Sequence, residues 1–167
     1  MIFNKKYVLF TVCFLYSVSL YSQNIKENIV LDINGAPMFE HSEDNTIPYY
    51  HTLKGERIPI EELSIGYKYG KDSLNDYIRS GYYNHPDYNW REVNITLYYC
   101  ILFDNELSIQ EIRFYKMGIS NELKNILEKE GHLSIIKQVL LESQNKWITK
   151  KKCSNKHKLY IGSVKIY

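Results

Sequence analysis

The feature that most constrains the fold is a twelve-residue run, 92–103, in which side chains alternate between two faces. Successive side chains of an extended chain point to opposite sides, so a period of two over this length is typical of a β-strand. One face would carry Val93, Ile95, Leu97, Tyr99, Ile101 and Phe103. We therefore predict the strongest strand of the chain at 92–103.

The chain then turns at 104–106 and returns along 107–115. In this second strand the alternation slips by one position, because Leu107 and Ile109 lie in one phase while Ile112 and Phe114 lie in the other. One extra residue at 110–111 would bring both pairs to the same face, as a β-bulge does. The sequence therefore predicts a bulged hairpin.

Helical periodicity precedes and follows this hairpin. Ser73 and Asp76 match a capping box, and Gly81 is predicted to end the short helix that follows. Two further helices are predicted at 120–130 and 132–144, and a closing strand at 157–167. The order α-β-β-α-α-β predicts an α+β fold, with a small antiparallel β-sheet and helices packed on one face.

The residues before this region are organised differently. Three of the four prolines fall within 24–66, and one short strand, 28–33, is predicted there before the Asn34-Gly35 turn. We interpret 23–66 as an extended preface that packs onto the domain at 67–167 rather than as a domain of its own.

The first 22 residues resemble a secretory signal peptide. Lys5 and Lys6 precede a mostly apolar run, 7–21, and Ser22 begins a polar stretch. The run is shorter than the roughly 20 apolar residues that span a bilayer. We expect cleavage after Ser22 and a periplasmic or secreted protein. The alternative is an uncleaved N-terminus that anchors the chain in the inner membrane.

Composition and motifs argue against several functions. A net charge of +2 excludes a nucleic-acid binder that depends on strong positive charge. The histidines are scattered, so neither a metal nor a cofactor is expected, and no nucleophile motif is present. We expect a protein that is not an enzyme. The five histidines are His41, His51, His85, His132 and His157.

Tyrosine is unusually abundant, with 16 among 167 residues. Tyr82, Tyr83, Tyr88 and Trp90 could form a surface on which carbohydrate or peptide stacks. They could equally pack between the first helix and the sheet, because aromatic side chains bury large areas. The interpretation as a stacking surface supports an alternative function, a secreted α+β small-ligand-binding protein or enzyme that uses this region as a pocket.

From about residue 69 onward, the order of these features resembles the C-terminal domain of TonB energy transducers of Gram-negative bacteria. The residues that carry the resemblance are Gly70 with 74–78, Tyr83 and Pro86, the long strand with Asp104-Asn105, the spacing Ile109-x-x-Ile112-x-Phe114, and Trp147. Glu106 stands where the family prefers glycine, and Asn84-His85 separates Tyr83 from Pro86. The preface also lacks the family's proline-rich spacer. The chain therefore resembles a stand-alone periplasmic relative.

The resemblance implies a sheet in which the long strand lies between the second strand and the last one. The last strand would then bind an extended segment of a partner protein by strand addition. The partner would be an outer-membrane transporter or another periplasmic protein. The expected binding residues are Leu159, Tyr160, Ile161 and Ser163. The alternative is that residues 24–33 of the preface already cover this edge.

The same arrangement would bring Cys153, just before the last strand, near Cys100 on the long strand. Either the two form a disulfide or they remain free thiols, because a bridge requires Cα atoms within about 7 Å.

Overall fold

The computed structural model describes residues 29–40, 49–60, 65–88, 93–115, 119–149 and 157–167. Within these ranges the strands are β1 (Ile29–Leu31), β2 (Pro37–Glu40), β3 (Tyr49–His51), β4 (Arg57–Pro59), β5 (Ile65–Tyr67), β6 (Ile95–Phe103), β7 (Ile109–Tyr115), β8 (Trp147–Thr149) and β9 (Lys158–Ile166). The α-helices are α1 (Lys71–Tyr83), α2 (Asn121–Lys129) and α3 (His132–Glu142). A short 3-10 turn, Gln144–Lys146, precedes β8.

The central element is an antiparallel sheet in the order β7-β6-β9. The predicted α+β fold class is confirmed, and the long strand lies between the other two, the order that the resemblance implied. β6 pairs with β9 along its whole length, from Ile95 opposite Ile166 to Phe103 opposite Lys158. Side chains of all three helices pack on one face of this sheet and bury its apolar residues there.

The other face is covered by residues before the helices. β1 to β4 form an antiparallel sheet whose Met38, Phe39 and Tyr50 pack against Cys100 and Leu102 of β6. The sequence predicted one short strand in this preface, whereas the structure has four, followed by β5. Strands of three or four residues are too short to display a period of two, which explains why the sequence pattern does not predict them. β5 pairs with β8 in a separate two-stranded ribbon.

The first helix differs from its prediction at both ends. It begins after Gly70, whose φ of 92° is accessible to glycine, so Ser73 is not its N-cap. It continues through Gly81 to Tyr83 instead of ending there. Gly81 serves close packing, because a Cβ at this position would lie 2.7 Å from a methyl group of Val139 on α3. α2 begins after Ser120, whose side chain caps the Leu123 N–H, as is typical of helix starts.

The predicted bulge is confirmed. Leu102 pairs with Glu111 and Phe103 with Ile109, so Gln110 has no partner across the hairpin. As a result, Ile109 and Ile112 both pack toward the helical face of the sheet. The turn places Leu107 at a φ of 64°, and the Asp104 carboxylate accepts hydrogen bonds from backbone N–H groups within it.

Among the described residues no helix is long and apolar enough to cross a membrane. The expected signal peptide at 1–22, Trp90 and Cys153 lie outside the described residues.

Candidate functional site at the outer edge of β9

The directions of the backbone groups in the central sheet follow from one hydrogen bond. The Ile33 N–H donates to the Phe114 carbonyl, 3.0 Å away, so the backbone groups of Phe114 point away from β6. In an antiparallel pair, directly opposite residues bond to each other at every second position. Phe114 is opposite Tyr99, so the backbone groups of Tyr99 point toward β9, where they meet Gly162.

The same alternation gives the direction of the backbone N–H and C=O groups at every residue of β9. Tyr160, Gly162 and Val164 direct their backbone groups toward β6, and the intervening residues direct theirs outward. The outward set is Leu159, Ile161, Ser163 and Lys165. Within the part of the chain that the structure describes, β9 pairs only with β6, and these four residues have no backbone hydrogen-bond partner on the outer side.

Three of the four residues expected from the sequence therefore belong to the open edge, namely Leu159, Ile161 and Ser163. Tyr160 differs, because its backbone groups face β6. Only its ring could contact a segment added to β9. That ring lies 4.8 Å from the ring of Trp147 at the start of β8 and 6.3 Å from the ring of Tyr99. Burial raises the pKa of Tyr160. Ile161 and Ser163 remain partly exposed.

The opposite edge of the sheet, along β7, is closed at two places. At one end Ile33 bonds to Phe114, and Asp32 forms a bridge with Tyr115. At the other end the side-chain amide of Gln144 accepts from the Ile109 N–H at 2.7 Å and donates to the Leu107 carbonyl at 2.6 Å. This amide takes the place that a neighbouring strand would occupy.

The described residues do not support one of the alternatives drawn from the sequence. The described part of the segment 24–33 that was considered as a cover for the last strand lies at β7 instead. The reason is a buried ion pair, in which an Arg113 Nη atom lies 3.0 Å from an Asp32 carboxylate oxygen. Arg113 also donates to the His51 carbonyl at 2.7 Å. A charge pair removed from water requires this degree of hydrogen bonding to be tolerated.

Tyr50 makes a second polar contact between the preface and β7, because its hydroxyl donates to the Glu111 carboxylate. Burial raises the pKa of Tyr50 well above its usual range, and the nearby Cys100 and Glu111 raise this pKa further. The other Glu111 oxygen accepts from the Leu53 N–H at 3.1 Å. The preface is thus held to the sheet by polar contacts as well as by its apolar core.

Cys100 is unpaired among the described residues and is fully buried beneath the preface, with its sulfur 4.0 Å from that of Met38. Burial raises its pKa to about 12. A thiol held neutral in this way is a poor nucleophile. The residue opposite Cys100 on β9 is Ile161. Whether Cys153 could reach it stays a prediction, because Cys153 lies outside the described residues.

The tyrosine cluster packs internally. Tyr82 is 1% exposed, its ring lies about 5 Å from those of Tyr83 and Tyr88, and its hydroxyl bonds to His132 Nδ1 at 2.6 Å. Burial raises the pKa of Tyr82. A cavity of about 370 Å³ does exist, but it lies beside β7, where Arg113 and Lys137 contribute to its lining, and none of these tyrosines does.

Sequence reasoning missed Gln144, Arg113 and Asp32. The Gln144 bonds join residues more than thirty positions apart, and nothing in the local pattern marks such a contact. An arginine between two apolar residues in a strand was the available signal for Arg113. Within the described ranges, no cluster of three or more histidine, cysteine or acidic residues could hold a metal.

Comparison with known proteins finds no match to a protein-family model, to a curated protein or to a solved structure.

Proposed function

We propose that this protein is an exported protein–protein interaction module that binds an extended segment of a partner by adding it to β9. The observation that carries the proposal is the difference between the two edges of one sheet. The preface and Gln144 close β7, while four β9 residues have no backbone hydrogen-bond partner on the outer side among the described residues.

The chemistry of β9 supports this use. The strand is nine residues long and contains no proline, so a partner could form a continuous ladder with it. Backbone pairing supplies affinity with little demand on side-chain identity. The partly exposed Tyr160 and Ile161 could contribute selectivity, one on each face of the sheet.

The proposals about export and about the physiological partner are based on the sequence. The leader at 1–22 favours the periplasm, and the resemblance to TonB C-terminal domains favours a partner connected with outer-membrane transport. Cell fractionation with intact-mass measurement tests the first point. A soluble periplasmic species beginning near Gln23 is expected, and a membrane fraction that retains 1–22 would contradict it.

Strand addition is tested by selecting binders from a displayed library of unstructured peptides and then measuring their affinity for two variants. Ser163→Pro removes an outward N–H, and Ser163→Ala keeps it. We expect the proline variant to bind at least about tenfold more weakly, because a lost hydrogen bond is combined with a steric block. The alanine variant should bind like the wild type.

Circular dichroism and urea unfolding establish whether both variants remain folded. Binders that tolerate Ser163→Pro in a folded protein would show that the β9 backbone is not their site. Ile161→Pro with Ile161→Ala as its control repeats the test at a second outward position.

A further inference from the structure

Three lysines on or beside β9 each lie near the ring of a tyrosine. Such cation–π contacts hold an ammonium group against one face of a ring and leave its other side open to solvent. The pairs are Lys146 with Tyr77 at 3.6 Å, Lys165 with Tyr167 at 4.8 Å and Lys68 with Tyr69 at 5.6 Å from the ring centroid.

The preface arginines provide a contrast. Arg57 and Arg113 also lie near tyrosine rings, but each has a carboxylate partner, Glu40 at 3.3 Å and Asp32 at 3.0 Å. The three lysines have no carboxylate within 4.0 Å among the residues that the structure describes. β5, β8 and β9 themselves contain no acidic residue.

Two of these lysines lie at the end of the β5–β8 ribbon, and the third lies on β9 itself. The Lys68 N–H donates to the Lys146 carbonyl at 2.8 Å, so these two residues lie side by side at the end of the ribbon. The neighbouring Trp147 contacts Tyr160, which places the ribbon beside one end of β9. Lys165 lies toward the other end, about 17 Å from Tyr160 at the spacing of an extended chain.

We propose that the segment added to β9 is acidic, with carboxylates about five residues apart that meet Lys68 and Lys146 at one end and Lys165 at the other. This inference rests on the proposed function and specifies its partner. A second copy of this chain fits less well, because β9 carries two lysines and no carboxylate, and like charges across paired strands repel.

The test uses two fluorescent ten-residue peptides of threonine and valine. One carries two glutamates five positions apart, and the other carries lysines at the same positions. Both are titrated into the wild type, into the triple variant K68Q/K146Q/K165Q, and into the control K124Q/K129Q/K137Q. The control removes the same charge from α2 and α3 and leaves β9 and the ribbon unchanged.

At low salt we expect the glutamate peptide to bind the wild type at least about tenfold more tightly than the lysine peptide does. The triple variant should lose about tenfold in affinity for it, the control should lose less than about twofold, and added salt should weaken binding to the wild type. Equal binding of both peptides, or equal loss in both triple variants, would overturn the acidic partner while leaving strand addition intact. Failure of the glutamate peptide to bind would overturn it as well.

Ser163→Pro separates this result from the proposed function. If the glutamate peptide binds this variant as tightly as the wild type, the lysines recognise acidic chains without strand addition, and the proposed mode of binding is wrong. Sedimentation of the protein alone reports self-pairing, and a stable dimer lost in Ser163→Pro would favour a second copy as the occupant.

Discussion

The two edges of the central sheet differ in what they offer to another chain. β7 is covered at one end by the preface, which a buried ion pair holds in place, and at the other by the amide of a single glutamine. β9 pairs with β6 on its inner side, and its outward backbone groups have no partner among the described residues. Edge strands are usually protected, and this difference between the two edges is the basis of the proposal that β9 receives another strand.

The largest expected effect comes from removing the preface anchor. Arg113→Ala leaves the Asp32 carboxylate buried without its cation, which typically costs about 3–5 kcal/mol. Urea unfolding should show this loss. Arg79→Ala, which removes a partly exposed arginine that pairs with an exposed aspartate, should lose less than about 1 kcal/mol. A small loss in Arg113→Ala would mean that the ion pair with Asp32 contributes little to holding the preface.

Proline substitution distinguishes the two sides of β9 itself. Val164 directs its N–H toward β6, so Val164→Pro should lower the free energy of unfolding by about 3 kcal/mol more than Val164→Ala does. The corresponding difference between Ser163→Pro and Ser163→Ala should stay below about 1 kcal/mol. Denaturant titrations of the four variants measure both differences. Equal differences at the two positions would contradict the assigned directions.

Substitution of Gln144 tests how the start of β7 is closed. Gln144→Leu keeps a side chain of similar size but removes the bonds to Ile109 and Leu107, and we expect a loss of about 2 kcal/mol. Gln138→Leu is the matched control, because Gln138 is exposed on α3 and bonds only to Glu142 among the described residues. Thermal unfolding compares them. A loss no greater than that of the control would assign the closure at this end to something other than the amide.

The last prediction concerns hydrogen exchange and requires no substitution in the protein. Amide hydrogen exchange in the unmodified protein should be faster at Ile161 and Ser163 than at Gly162 and Val164, by at least about tenfold, because outward N–H groups lack a strand partner. Two-dimensional NMR in deuterated buffer reads each amide separately. Uniform protection along β9 would indicate that another segment covers the edge.

The sequence predicted the parts of this comparison that rest on periodicity. Residues 92–103 alternate for long enough to identify β6, and the slip between Ile109 and Ile112 predicted the bulge. The sheet order came from a resemblance that no comparison supports, although the order itself is correct. The closure of β7 could not be predicted, since it depends on contacts such as that between Arg113 and Asp32, more than eighty residues apart.

Two errors have a common physical origin. The sequence pattern predicts Gly81 as a helix terminus and Ser73 as a cap, because both residue types are frequent at helix ends. Gly81 is instead required where α1 approaches Val139, and the helix begins after Gly70. Tertiary packing overrides the local preference of single residues, and it leaves no mark on the neighbouring sequence.

The bulge at Gln110 also has a consequence for how the chain could change in length. A deletion within a strand normally inverts the faces of the residues beyond it. Here the extra residue is already unpaired, so a chain lacking Gln110 would keep Ile109 and Ile112 on the helical face and Arg113 against Asp32. A one-residue gap at this point would therefore preserve the faces of β7, and its structural cost would be the bond that the Gln110 amide donates to the Asp104 carboxylate.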